Sequence, residues 1–229
     1  VMTDITYTVQ VTDTNGCVNT ADVALEALPL PPAQATADTA ICLGDTTSLW
    51  ASGGVEYNWI PAGSLSAADS NFTLAYPQQT TLYQVQVTDT NGCRNMAQTQ
   101  VVVNPLPQPT VSPLDSICFG ESTLLEATGG TAYHWSPSAG LNSTDSSAVM
   151  ASPDSTSTYI VEVFNSFGCS ALDTTGVVVM PLPVVTTSGD TNTCLSNEMQ
   201  LQASGSVAYS WSPGLGLNDS TISNPIANP

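Results

Sequence analysis

The chain has no lysine, one arginine (Arg94) and one histidine (His134), against 19 acidic residues and a formal net charge of −18. Nucleic-acid binding relies on cations that displace condensed counterions from phosphates, and almost none are present. The same deficit opposes adsorption to anionic lipid surfaces. Charged residues are scarce overall, at 9%, while hydrophobic residues reach 41%, a balance that excludes a disordered acidic tail. An acidic, lysine-free surface suits a secreted protein in salt, where screening and divalent cations relieve self-repulsion.

Long apolar runs are also missing. No stretch approaches the roughly 18 residues of a membrane span, so no membrane insertion is expected, and any signal peptide lies upstream of this sequence. No segment combines helical periodicity with caps. No phosphate loop or nucleophile motif occurs. A Ser-His-Asp arrangement would have to use His134, in Tyr133-His134-Trp135, whose counterparts in the other copies of this motif are Asn58 and Ser210. That register points His134 outward beside a buried Trp, the setting of a solvated surface residue rather than a base. No catalytic residue is assigned, and the chain is not expected to be an enzyme.

What the sequence has instead is a period. Trp59, Trp135 and Trp211 stand 76 residues apart, as do Tyr57, Tyr133 and Tyr209, and Pro29, Pro105 and Pro181. Two cysteine series, Cys42/Cys118/Cys194 and Cys17/Cys93/Cys169, keep the same spacing. A fixed period of this size marks one structural unit copied in tandem. Its phase divides the chain into residues 1–27, the C-terminal part of a repeat; 28–104 and 105–180, two complete repeats; and 181–229, the N-terminal part of another. The sequence therefore reads as an interior segment of a longer polypeptide, with completion of each half by a neighbouring molecule as the alternative. Closely spaced prolines at 28–32, 105–109 and 181–183 favour extended, semi-rigid joints, which predicts a rod.

Each repeat reads as all-β. Ser48-Leu49-Trp50-Ala51 and Val55-Glu56-Tyr57-Asn58-Trp59 alternate sides around Gly53-Gly54, and Tyr83-Gln84-Val85-Gln86-Val87 is a strict period-2 run. Asn91-Gly92 then precedes Val101-Val102-Val103, a hairpin signal. About seven short strands, with Trp on the third and Tyr opening the sixth, predict tandem immunoglobulin-like β-sandwiches. Leu49, Leu125 and Leu201 share a register with Ala51, Ala127 and Ala203 and should face the core. The position between them holds Trp50, Glu126 and Gln202, so Trp50 is expected at the surface, either as a covered aromatic or as a contact to a neighbouring chain or repeat.

Two cysteines per repeat and a single histidine argue for disulfides in an oxidising compartment; zinc is a poor alternative because no Cys-x-x-Cys occurs. All six cysteines, Cys17, Cys42, Cys93, Cys118, Cys169 and Cys194, are candidates. Two pairings stay open, with intermolecular bonds or free thiols as the remaining alternative. One lies within repeats, Cys42 with Cys93 and Cys118 with Cys169. The other staples neighbours, Cys42 with Cys169, since the turns carrying the two series lie at opposite poles of an immunoglobulin-like sandwich. Asp13 and Asp89, in Asp-Thr-Asn-Gly turns, offer oxygens to calcium; the same residues also suit a metal-free hairpin turn. The third copy of that turn carries Phe164 and Phe167 in place of Thr88 and Asn91, aromatics on a loop tip that need cover from an adjacent repeat or another filament strand.

The succession Ile41-Cys42-Leu43-Gly44-Asp45, Gly53-Gly54, Tyr57-Asn58-Trp59, Tyr83-Gln84-Val85-Gln86-Val87, Asn91-Gly92-Cys93 and a closing Pro-x-Pro resembles the Ig-like or PKD-like repeats of giant Bacteroidetes cell-surface adhesins. The resemblance implies export by type IX secretion, an association with gliding motility or adhesion, and a role mainly as a stalk. It also implies O-glycosylation at short Asp-Ser/Thr sites such as Asp38-Thr39-Ala40. The expected function is a structural segment of an extracellular adhesin or filament, partnered by copies of itself or by adjacent repeats. The alternative is a loop-mediated module that binds a surface glycan or a calcium-dependent cell target.

Overall fold

The computed structural model of the protein describes residues 4–194 and 197–228. The described residues form no helix. Strands β1 (Ile5–Thr12) and β2 (Val18–Leu25) form an antiparallel hairpin. A first sandwich follows, built of β3 (Gln34–Ala35), β4 (Thr39–Cys42), β5 (Thr47–Ser52), β6 (Glu56–Ile60), β7 (Phe72–Ala75), β8 (Thr81–Thr88) and β9 (Arg94–Asn104). Its sheets have the orders β3-β5-β7 and β4-β9-β8-β6. A second sandwich uses β10 (Thr110–Val111), β11 (Asp115–Cys118), β12 (Thr123–Thr128), β13 (Ala132–Ser136), β14 (Ala148–Ala151), β15 (Ser157–Phe164) and β16 (Ser170–Met180), ordered β10-β12-β14 and β11-β16-β15-β13. Beyond it lie two short ladders, β17 (Thr186–Thr187) with β19 (Ala203–Ser204), and β18 (Met199–Gln200) with β20 (Ile226–Ala227).

By its internal contacts the chain divides into two units. One is Val1–Gln108 with Phe164–Ala171, and the other is Pro109–Val163 with Leu172–Pro229.

Each sandwich has seven strands, but the Trp falls on the fourth rather than the predicted third, because the first strand is divided between the two sheets. β3 joins β5, and after Thr36-Ala37-Asp38 the chain crosses to run parallel to β9 as β4. Hydrogen bonds fix the crossing on both sides. Thr36 Oγ1 accepts from the Trp50 N–H at 2.7 Å, and the Gln100 N–H donates to Asp38 Oδ1 at 2.8 Å. Ser112 makes the same crossing in the second sandwich, where its Oγ accepts from the Glu126 N–H.

Alternation decides the core. Leu49, Ala51, Trp59, Tyr83, Val85, Val87 and Val101 are buried in the first sandwich, and Leu125, Ala127, Trp135, Tyr159, Val161, Val163 and Val177 in the second. Both Trp rings are buried with their N–H groups satisfied, donating to the carbonyls of Ser70 at 2.9 Å and Ser146 at 2.8 Å. Trp211 donates in the same way to Ile222, yet its ring, Leu201 and Ala203 are only half-buried. Among the described residues of 181–228, no strand pair equivalent to β8–β9 stands over them. Gly53 has a φ of 106°, in the left-handed region, and a Cβ there would collide with the Pro32 carbonyl, so the turn before β6 requires glycine.

Candidate functional site

The chemistry-bearing residues gather at the turns and on one sheet face. Cys42 ends β4 and is disulfide-bonded to Cys169, which follows the β15–β16 turn; their Cα atoms are 5.6 Å apart. The structure therefore contains the pairing between neighbouring repeats and not the within-repeat pairs Cys42–Cys93 and Cys118–Cys169. The cause is topological. Parallel pairing with β9 carries β4 to Asn104, and the Leu43 N–H donates to the Asn104 carbonyl, so Cys42 lies at the exit of its sandwich. Cys93 sits in the turn between β8 and β9, at the other end of the ladder. Cys169 is 1% exposed, which shields this bond from reductant. Cys17, Cys118 and Cys194 are exposed free thiols, and Cys93 is a half-buried one.

The turn carboxylates have a structural task. Asp13 Oδ1 accepts the N–H groups of Asn15 and Cys17, and Asp89 Oδ1 those of Asn91 and Cys93, all at 2.8–2.9 Å. At the third turn Asn165 Oδ1 accepts from Phe167 and Cys169 in the same way. Its Nδ2 also donates to the Pro105 carbonyl at 2.8 Å, which a carboxylate cannot do. That extra donor accounts for asparagine where the other copies have aspartate. Among the described residues no group of three or more His, Cys, Asp or Glu side chains is arranged to hold a metal ion. Phe167 is 62% exposed at the tip of this turn, and Phe164 is half-buried.

Trp50 lies on the solvent face of β5, directly opposite Phe72 of β7, and Ser48 is opposite Leu74. Trp50, Phe72 and Leu74 are each more than 40% exposed, making an aromatic patch on the β3-β5-β7 sheet. Phe72 escapes the sequence reading. Its signal was the alternation Phe72-Thr73-Leu74-Ala75, which puts Thr73 and Ala75 inside. His134 Nδ1 is 2.9 Å from Asp145 Oδ1, with both side chains exposed. The imidazole hydrogen bond holds the Asp145 carboxyl below its ordinary range. Hydrogen bonds from the Thr123 hydroxyl and the Ser116 N–H do the same for Asp115.

Two antiparallel-rich sheets, a first strand shared between them, a buried Trp and a buried Tyr define an all-β, immunoglobulin-like protein. The sequence model of a family described as "Ig-like domain CHU_C associated" matches residues 29–107. No curated protein sequence matches the chain. Among solved structures, the titin domains I67–I69 are 13% identical, with a TM-score of 0.39 over 87% of this chain and 89% of that one. A Ca2+-stabilized adhesin of an Antarctic bacterium is 10% identical, with a TM-score of 0.40 over 98% of this chain and 73% of that one. The insect immune protein hemolin is 15% identical, with a TM-score of 0.36 over 76% of this chain and 56% of that one.

Proposed function

We propose that the chain is a non-catalytic, load-carrying segment of an extracellular surface adhesin or filament, with residues 28–104 and 105–180 as complete repeats. The observation that carries this reading is the Cys42–Cys169 disulfide, a covalent tie between two sandwiches that each have their own core. A bond of this kind persists in oxidising compartments and opposes separation of the repeats under tension. Proline-rich joints and the acidic surface add stiffness and solubility, and partners are further repeats or copies of the chain. The family match over 29–107 supports an Ig-like domain there, and the reading extends this to Bacteroidetes surface proteins of the type IX secretion and gliding class.

Force spectroscopy on the chain tests the reading. With the disulfide intact, the 126 residues between Cys42 and Cys169 should stay shielded from extension, and reduction should release them as added contour length. Equal contour lengths before and after reduction would overturn it.

The Trp50–Phe72 pair supports a second reading, in which this face stacks on a sugar ring of a surface glycan or on another filament strand. Binding to a glycan array that Trp50→Ala abolishes would favour the glycan.

A further inference from the structure

The solvent face of the four-stranded sheet in the first sandwich carries mostly amides. Asn58, Gln84, Gln86, Gln98 and Gln100 alternate with the buried Trp59, Tyr83, Val85 and Thr99 and so lie together on that face. None of their side-chain amides has a hydrogen-bond partner among the described residues. Ile60, Leu82 and Met96 stand among them, each 46–54% exposed.

The register sorts this face into rows. Ile60, Gln84 and Gln98 lie side by side across β6, β8 and β9, as do Asn58, Gln86 and Met96. The row nearest the β8–β9 turn is Glu56, Thr88 and Arg94. It sets an acid and the only arginine of the chain on either side of Thr88, each one strand spacing of about 4.8 Å away. Among the described residues His134 pairs with Asp145, whereas Arg94 makes no ion pair. In a chain of net charge −18 the sole arginine is thus left open to a carboxylate from outside.

The rows are complementary to themselves. A second copy laid face to face about a two-fold axis along β8 puts its β6 over the first copy's β9, and its β9 over the first copy's β6. Glu56 of each copy then meets Arg94 of the other, while Thr88 and Gln84 each meet their own counterparts. Amides donate as well as accept, so a row of them can pair with its own copy, which a row of carboxylates cannot do. The second sandwich offers no such match. One period on, Glu56, Thr88 and Arg94 are replaced by Ala132, Phe164 and Ser170, and Gln86 by Glu162.

We propose that the β4-β9-β8-β6 face of residues 28–104 binds the same face of a second copy of this chain about a two-fold axis along β8, with Arg94 of each copy paired to Glu56 of the other. The proposal rests on the filament-segment reading above and names its lateral contact. Three strands about 4.8 Å apart and four rows about 7 Å apart cover roughly 400 Å² per copy, half of the ~800 Å² per partner of a standard interface. The contact is therefore weak and reversible between free chains, and it gains strength where chains already lie side by side.

The test uses the full chain carrying Cys17→Ser, Cys93→Ser, Cys118→Ser and Cys194→Ser, which leaves the Cys42–Cys169 bond in place. Sedimentation equilibrium up to about 1 mM protein, in about 0.15 M salt to screen the net charge, should show a monomer–dimer equilibrium. Arg94→Glu and Glu56→Arg should each weaken it at least about tenfold, and the two together should restore it. Glu56→Arg lowers the net negative charge, so general repulsion alone would make that variant dimerise more tightly. With Thr88→Cys or Gln84→Cys added, a short bismaleimide should link two chains through the new thiols. Ser48→Cys, on the β3-β5-β7 sheet, should not be linked. A monomer at 1 mM, tighter dimers of Glu56→Arg, or equal linking through Ser48→Cys would each overturn the proposal. So would side-chain amide signals of Gln84 and Gln98 in NMR spectra that move with added dextran and not with protein concentration, which would assign the face to a neutral glycan. The contour-length test reads single chains and is unaffected by pairing, so failure of this contact and failure of the load-carrying reading remain distinguishable.

Discussion

Reducing the Cys42–Cys169 disulfide releases a constraint across 127 residues of sequence, and the structure sets how much stability that removes. On the chain-entropy account, a loop of about 127 residues corresponds to about 5 kcal/mol if everything between the cysteines unfolds together. The two sandwiches have separate cores, however, so unfolding need not be one step. With the first sandwich folded, the Leu43–Asn104 hydrogen bond already holds Cys42 beside the end of β9, leaving roughly 65 residues of loose chain to residue 169 and about 4 kcal/mol. Hydrogen exchange across a guanidinium series reads each sandwich separately. Reduction should move the protection midpoint of β12 and β14 down by roughly 1–2 M, taking a slope of about 2–4 kcal/mol/M. The double variant Cys42→Ala/Cys169→Ala should match the reduced protein or fall slightly below it, because it also removes a buried sulfur at 169. Coincident midpoints for oxidised and reduced protein would refute the reasoning, since the disulfide would then constrain nothing that unfolding frees.

Two further perturbations address single groups. Tyr159 is buried, its O–H donates to the Ala139 carbonyl at 2.9 Å, and burial pushes its phenol upward. A folded value above the unfolded value of about 10 means that its contribution is present below pH ~10 and is lost as pH rises through the folded value. Tyr159→Phe should cost about 1–3 kcal/mol at pH 8 and flatten the alkaline limb of stability followed by circular dichroism; parallel pH curves for the two proteins would count against the assignment. Asn165→Asp keeps the Oδ1 acceptor of the turn but loses the donor to Pro105, so it should cost about 0.5–1.5 kcal/mol in denaturant unfolding. Asp89→Asn should be close to neutral, and an equal loss in both variants would contradict the donor's role.

The sandwich was legible in the sequence because one face of each strand is buried, and burial imposes a period of two. Leu49, Trp50 and Ala51 alternate in, out and in, as the three copies of that position suggested. The divided first strand was not legible, since β3 is two residues long and its crossing is held by Thr36 and Asp38, residues that any loop could carry. Cysteine pairing could not be read from spacing, because both pairings keep the 76-residue period; the parallel β4–β9 ladder decides between them. Phe72 went unnoticed because it gains its significance from lying opposite Trp50, and cross-strand register is a property of the fold. Asp13 and Asp89 drew attention as oxygen ligands because a carboxylate that closes a turn and one that binds calcium have the same local sequence.

The magnitude of the disulfide also explains why such small sandwiches are tied to their neighbours. A repeat of 76 residues is expected to be stable by only about 4–11 kcal/mol, because a domain of that size buries a modest share of its surface. A constraint of about 4 kcal/mol is then comparable with the stability of the sandwich it reaches into. It costs no additional core, which matters where each repeat offers only about ten buried hydrophobic side chains.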